Sequence, residues 1–485
     1  YATDTAPPRE VELRRLNEHC ALVKSGGELA LVGAGAEGAS VTVGPLQASG
    51  KLFCVSPALV ILHDATASLN GRPLTAGEKP DAAPLQQALE AAWNDAAVSA
   101  GEEANPWRRL PGLKQRWAAD LPGQPLSLAA CSGPDGLRLA VGMDSGPVQQ
   151  FNAEGLAVGE METGGSVHAL CACDLDGDGT EELLVGSDDE HIYALDRGLN
   201  EVWKYRVPFL REEQIWMWWT LGTSKVRKIC ADDINGDGKP EILVGAGNMR
   251  LQCLDREGNH LWRFRTDHGI CTTIVTADLF GDGKRHVLAG NGLTSSNGIC
   301  WVLDESGKVL RKYFNDSWCT SLPAIAVGDL DGDGERTVFC GNNRGNLRAY
   351  APASGYTDSL WIRNLTRPVR SLTIVPREKG GILAVGSDSG YLCAFDQAGE
   401  KLWGLPLSSA ITHTALVEGA TPTLVAGCKD GQVFVVTPSG ELVGHHDLGA
   451  RLRDMIVADV DGDGYDDIVA VTSGPDRLVV ITRRE

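Results

Sequence analysis

Methionine and aromatic residues are scarce in this chain: 5 Met and 6 % Phe, Trp and Tyr among 485 residues. That argues against a helical bundle. Long apolar runs are missing too. None approaches the roughly eighteen uninterrupted residues a spanning helix needs, so no membrane span is expected. Positive charge is in deficit, with 44 Lys+Arg against 64 Asp+Glu, a net charge of −20 and no basic run. Nothing offsets phosphate repulsion, so no nucleic-acid partner is expected. The chain starts at Tyr1 without Met or a signal peptide, which reads as a mature form or a fragment with a possible upstream domain missing before Tyr1. An even cysteine framework is absent as well. Many of the 13 cysteines sit in strand-like runs, as in "ALCACD" (Cys171, Cys173), "RLQCLD" (Cys253) and "GYLCAFD" (Cys393). They read as buried free thiols.

What the chain has is repetition. Five stretches look alike: "CDLDGDGTEELLVG", "DDINGDGKPEILVG", "ADLFGDGKRHVLAG", "GDLDGDGERTVFCG" and "ADVDGDGYDDIVAV". A second apolar run follows most of them ("HIYALD", "RLQCLD", "ICWVLD"). Then come a Gly turn and a run with an aromatic ("EVWKYRV", "HLWRFRT", "SLWIRNL", "KLWGLPL"). Three further units, starting near Leu126, Val369 and Ile411, keep the strands without the acidic loop. Four short strands per unit, at this period, predict an all-β fold: an eight-bladed β-propeller of four-stranded blades over 113–485. The last unit supplies only three strands. The orphan run "KQRWAADL" at 114–121 is expected to complete it and remove the exposed edge. A sandwich of short strands is the alternative.

Residues 1–80 alternate strand-like runs with Gly, Ser and Asn turns and read as a small all-β domain, or the tail of a larger one. Residues 81–112 form a linker. Within it "APLQQALEAAWNDAAV" places Leu85, Leu89, Ala92 and Trp93 on one face of a helix, expected to pack between the two parts.

The acidic loops carry carboxylates at positions one, three, five and nine. Such oxygen donors at alternate positions, with glycines at the sharp turns, wrap Ca²⁺. Asp174, Asp176, Asp178 and Glu182 make one full set, Asp233, Asn235, Asp237 and Glu241 a second, and Asp459, Asp461, Asp463 and Asp467 a third. The loop of Asp329, Asp331 and Asp333 has Thr337 at position nine and is expected to bind more weakly. The loop at Asp278 has Phe280 and His286 at ligand positions and is expected to be metal-free. The plain alternative is a set of acidic Asx turns without metal.

At this point the chain resembles the FG-GAP/VCBS calcium-binding propeller repeats, also seen in integrin α-subunits, through "DxDGDGxxE/D…LVG" over roughly 114–485. The "YALD…G…W" part is similar to quinoprotein-type propellers, with no cofactor site to carry over. The resemblance implies structural Ca²⁺. A site with Kd of about 10⁻⁴ M adds roughly 1.8 kcal/mol at about 2 mM Ca²⁺ and almost nothing at cytosolic levels. The expected location is therefore extracellular, cell-surface or periplasmic.

In a propeller the acidic loops lie at one face and the inter-blade loops at the other. Six residues before the first Asp of each acidic loop, where an innermost strand begins, stand His168, Arg227, Thr272, Pro323 and Arg453; by pattern the other units give Ser127, Arg370 and Thr412. Convergent cations make a trap for an anion, unless they pair with acids such as Asp454 or Asp232. From outer-strand aromatic to channel position the usual gap is nine or ten residues, but from Trp203 to Arg227 it is twenty-four. About fourteen residues, roughly 207–221, are therefore inserted, and they hold Trp216, Trp218 and Trp219. These tryptophans either face a ligand or fold inward onto a neighbouring part.

Several secreted polysaccharide lyases are similar calcium-bearing propellers. The resemblance then implies an acidic polysaccharide, uronic or sulfated, as ligand, and cleavage by β-elimination. Arg227, Arg370 and Arg453 would neutralise the carboxylate, His168 or His268 would take the proton, and Trp318 would add a stacking face. No lyase-specific motif is present. The alternatives are a non-catalytic carbohydrate- or protein-binding propeller, and an accessory domain of a larger enzyme.

Overall fold

The computed structural model describes residues 11–15, 20–25, 28–43, 46–56, 60–70, 72–80, 83–90, 110, 112–209, 223–266, 269–292, 297–317, 320–418 and 422–482. Two compact units divide between Arg109 and Leu110. No described helix is long and apolar enough to cross a membrane.

The first unit is one antiparallel sheet of six strands in chain order: Val11–Arg15, Cys20–Ser25, Glu28–Val43, Leu46–Val55, Val60–Leu69 and Arg72–Leu74. Leu22, Leu31, Leu46, Phe53, Val55 and Val60 form its core. The helix over 83–90 presents Leu85 and Leu89, four residues apart, to this same core, where both are fully buried. The helix thus packs within the first unit. Ala92 and Trp93 lie outside the described residues.

The second unit consists, among the described residues, of four-stranded antiparallel sheets typical of a β-propeller. The second sheet shows the plan: Val167–Cys173, Glu182–Ser187, His191–Leu195 and Glu201–Arg206, each paired with the next. Middle strands such as Glu182–Ser187 and Glu241–Ala246 are buried at every position, as their uninterrupted apolar sequences require. Outer strands alternate exposed with half-buried residues. In the last sheet Lys114–Asp120 pairs antiparallel with Arg477–Thr482, Trp117 opposite Val480. First strands pack side by side from Pro125–Cys131 through Val167–Cys173, Val226–Asp232, Ile270–Ala277, Ala324–Gly328, Val369–Pro376 and Ile411–Val417 to Arg451–Ala458, which again touches Pro125–Cys131.

Two recurring contacts join neighbouring sheets. The glycine of the "LVG" run removes a side chain where the next sheet comes closest. A Cβ on Gly142, Gly186, Gly341 or Gly427 would stand within 2.4 Å of Val167, Val226, Val369 or Leu452 respectively, all on the next first strand. Farther out, an outer-strand tryptophan lies on a left-handed glycine in the next sheet's last hairpin. The pairs are Trp117 on Gly155, Trp203 on Gly258, Trp262 on Gly307, Trp361 on Gly399 and Trp403 on Gly440. Each indole Nε1 donates to a carbonyl in that hairpin: Ala153, Arg256, Glu305, Gln397 and Pro438, at 2.8–3.0 Å. Where the first sheet has Gly159 in place of tryptophan, the facing hairpin has Leu199, at φ 62°, leaning back over it. No disulfide joins the twelve described cysteines.

These contacts set an expectation. Gly258 combines φ +82° with a ring 2.7 Å from any added Cβ, while Gly449 combines φ +65° with open space. Gly449→Ala is expected to cost about 1 kcal/mol of backbone strain. Gly258→Ala should exceed it by about 1–3 kcal/mol through displacement of Trp203. Urea unfolding followed by tryptophan fluorescence checks the order.

Candidate functional site

The two ends of the sheets carry different chemistry. At one end, each acidic loop joins a first strand to a second. Asp174 closes its loop by accepting the Gly177 and Gly179 amides at 2.7 and 2.9 Å. Asp176 and Asp178 accept the Asp178 and Thr180 amides at 3.1 and 2.7 Å. The same scaffold recurs at Asp233 with Gly236 and Gly238, at Asp329 with Gly332 and Gly334, and at Asp459 with Asp463 and Gly464. Position nine opens the second strand and is buried. Glu182 and Glu241 accept the Leu175 and Ile234 amides at 2.8 and 3.1 Å. Asn235 donates to Glu241 at 2.6 Å, and Asp237 accepts the Lys239 amide at 2.9 Å.

Burial, and secondarily the facing loop carboxylates, push the Glu182 and Glu241 carboxyls above the usual range. Burial, with Asp461 beside it, pushes Asp467 to about 6. Asp467 Oδ2 is buried with no hydrogen-bond partner. Carboxylate oxygens of Asp174, Asp176 and Glu182 lie within 4.8 Å of one another, as do those of Asp329, Asp331 and Asp333, and those of Asp459, Asp461 and Asp463. Crowded acids with an orphaned oxygen fit a hard divalent cation. Two of these loops carry a further contact. Thr337 is 2 % exposed and accepts from Gln397 Nε2 at 2.7 Å, so its hydroxyl serves a neighbouring sheet. Arg116 bonds Asp461 and offsets one charge of the last loop.

At the other end the first strands begin, and here the backbone does something the sequence pattern hides. A β-bulge interrupts pairing with the second strand at His168, Arg227, Thr272, Arg370, Thr412 and Arg453, the extra residue in each case. In the first sheet the extra residue is Leu126, one before the expected Ser127, and the Ala324–Gly328 strand has no bulge. A bulge re-aims a side chain out of the pleat.

The cations so aimed are mostly compensated. Asp188 receives Lys225 Nζ at 2.9 Å, Arg227 Nη1 at 3.2 Å and His168 Nε2 at 3.6 Å. Asp388 takes a two-pronged bond from Arg370, at 2.9 and 2.6 Å. His413 Nε2 faces Asp454 at 3.3 Å, whereas Asp232 lies at the acidic-loop end of its strand and there holds Arg285 at 2.8 Å. Arg453 Nε points to the Pro125 carbonyl at 3.4 Å and has no ion pair among the described residues. Arg227 and Arg370 are therefore held in internal ion pairs, with His168 beside the same Asp188, where the sequence suggested an open anion trap. Their partners, Asp188 and Asp388, end the near-identical runs "VGSD" at 185–188 and 385–388. That repeat was the available signal. His268, Trp216, Trp218, Trp219 and Trp318 lie outside the described residues. The strands flanking the insertion are Glu201–Arg206 and Val226–Asp232, so it connects the second sheet to the third.

Burial, then the Arg227 charge, hold the His168 pKa below the usual histidine value, against the pull of Asp188. The folded chain therefore binds fewer protons there than the unfolded chain. This stability is complete above about pH 6.5 and is lost as pH falls through the lowered value. Asp188→Asn should lower the His168 pKa further and Arg227→Gln should raise it. Titration of the imidazole resonances by NMR reads both directions.

With this geometry in hand, comparison with known proteins is informative about the scaffold. The λ-carrageenase β-propeller domain family matches residues 210–276, and the outer membrane protein assembly factor BamB family matches 343–445. The BBSome complex member BBS2 of Homo sapiens is 27 % identical over 210 residues, 43 % of this chain and 25 % of the relative. The chain thus spans a quarter of the length of the curated relatives it matches. BamB from Moraxella catarrhalis superposes with a TM-score of 0.54 at 16 % identity, covering 77 % of this chain and 99 % of that one. Chaetomium thermophilum Sqt1, bound to the N-terminus of the ribosomal protein L10, superposes at 0.54 with 14 % identity, covering 75 % and 95 %. At such identities the likeness is one of fold, and that fold is the β-propeller.

Proposed function

We propose that residues 110–485 form an eight-bladed β-propeller, its ring closed by Lys114–Asp120, that binds a protein partner at the end where the first strands begin. The observation that carries this is that carboxylates already occupy the arginines of this end: Asp188 lies against Arg227 and Asp388 against Arg370. An anionic polymer would have to displace acids already seated on these cations, whereas a protein surface needs no excess positive field. The names of similar propellers point the same way: a BBSome complex member, an outer membrane protein assembly factor, and Sqt1 bound to the N-terminus of L10. Trp216, Trp218 and Trp219, between the second and third sheets, are the anchor residues of this reading, since tryptophan is over-represented among binding hot spots. A second reading, a sulfated polysaccharide, has one specific support: the λ-carrageenase propeller match begins within the tryptophan insertion.

Peptide-display selection on the purified chain tests the choice. The expected result is an enriched peptide family whose affinity falls at least about tenfold when Trp216, Trp218 and Trp219 are all changed to Ala. The same chain should pass unretarded through gels containing carrageenan, alginate or heparin and release no unsaturated uronate. Retardation in carrageenan without any enriched peptide would favour the polysaccharide.

The acidic loops belong to the same reading as FG-GAP/VCBS-like structural Ca²⁺ sites. Asp174, Asp176, Asp178 and Glu182 would hold one ion, Asp233, Asn235, Asp237 and Glu241 a second, and Asp459, Asp461, Asp463 and Asp467 a third. Asp329, Asp331 and Asp333 would bind more weakly. With Kd of about 10⁻⁴ M, each full site contributes roughly 1.8 kcal/mol at about 2 mM Ca²⁺. That suits an extracellular, cell-surface or periplasmic setting. A chelator should lower the urea midpoint, and Asp178→Asn should remove part of the calcium response. A midpoint indifferent to chelation would sink the calcium assignment, and a Kd below about 10⁻⁶ M would sink the compartment argument.

A further inference from the structure

The loop at Asp278 departs from its siblings in a way that does not simply empty it. Position three is Phe280 and position nine is His286, where Glu182, Glu241 and Asp467 stand in the full loops. The turn is nevertheless built to the same plan. Asp278 accepts the Asp282 and Gly283 amides, each at 3.1 Å, and Asp282 accepts the Lys284 amide at 3.0 Å. Oxygens of Asp278 and Asp282 and a ring nitrogen of His286 all lie within 4.8 Å of one another. His286 is only 4 % exposed, and its Nδ1 is buried with no hydrogen-bond partner. Among the described residues no ion pair joins His286 to either carboxylate.

A buried imidazole nitrogen without a partner is costly unless something fills its lone pair or takes its proton. Phe280 does neither. Its ring meets the imidazole edge-on, centroids 4.6 Å apart, and so fixes the plane of the histidine beside the two carboxylates. Arg311 lies 5.9 Å from the centre of the Phe280 ring, and the Phe280 side chain supplies no oxygen donor of the kind Asp176 supplies in the first loop.

We propose that Asp278, Asp282 and His286 form a divalent transition-metal site, with Zn²⁺ as the reference ion, within a series of calcium-type loops. The donor set decides the ion. Ca²⁺ takes six to eight oxygen ligands, and this loop has lost two side-chain oxygens and gained a nitrogen. Neutral imidazole with two carboxylates suits Zn²⁺, Co²⁺ or Mn²⁺, and three protein ligands leave a position for water. The same substitution that weakens the loop for calcium therefore changes its selectivity.

The test uses the intact chain held in excess Ca²⁺, so that oxygen-only loops are occupied. Zn²⁺ is added, loosely held metal is removed by gel filtration, and the retained zinc is counted by elemental analysis. One equivalent should remain in the wild type and in Asp174→Asn, which alters a sibling loop. It should be lost in His286→Gln and in Asp282→Asn; the latter changes an exposed side chain and keeps the test valid if the buried substitution unfolds the sheet. With Co²⁺ in place of Zn²⁺, visible absorption bands should appear in the wild type and vanish in both variants. No zinc retained above Ca²⁺ would overturn the proposal, as would zinc retained undiminished in Asp282→Asn.

Discussion

Neighbouring sheets in the second unit approach so closely that a single methyl group would not fit between them at the second-strand glycine. Everything farther out adjusts to that. Sheets that meet at their inner edge must splay apart toward their outer edge, and the gap has to be filled. Glycine near the inner edge and tryptophan at the outer strand form a gradient of side-chain volume that matches the wedge. The indole body fills space, and its N–H finds a carbonyl in the hairpin it covers. Where tryptophan is replaced by Gly159, Leu199 fills the same gap from the opposite side. The gap is thus filled from the other side, by a smaller side chain.

That wedge gives the two ends of the sheets separate roles. The acidic loops turn between first and second strands, with their ninth residue drawn into the second strand, so each loop is tied to a buried strand. At the opposite end, bulges release one residue from the pleat in every first strand but Ala324–Gly328, with backbone pairing resuming on either side. Charged groups can vary there without disturbing the strands. The acids that follow the second strands then determine how much net charge the end presents.

Much of this could be read directly from residue patterns. "DGDG" followed by an apolar run and "LVG" marks a loop between two strands, and the pairing of 114–120 with the last strand follows from a count of strands per repeat. The helix was visible from Leu85 and Leu89, but their membership of the same core as Leu22 and Phe53 is something no periodicity encodes. The bulges were hidden because one extra residue leaves the apolar alternation on both sides looking continuous. The partners of His168, Arg227 and Arg370 were misjudged for a related reason. Acids next to the cations in sequence, such as Asp232 and Asp454, point elsewhere, whereas Asp188 and Asp388 arrive from an adjacent strand. The departure at Phe280 and His286 was plain in the sequence; the orphaned nitrogen that gives it meaning appears only once the side chain is buried.

The pairing of Lys114–Asp120 with Arg477–Thr482 also has a bearing on synthesis. Lys114–Asp120 is made before the seven further sheets that separate it from its partner strand. While those are being made this strand has an unpaired edge, and Trp117 can rest on Gly155 in the first sheet without the backbone partner that later locks it. Closing an interval of this length costs on the order of 5 kcal/mol in chain entropy. Sheets that assemble in order beforehand bring the two ends together and remove most of that cost. This pairing is in that sense a timer: its hydrogen bonds form only once Arg477–Thr482 has been made.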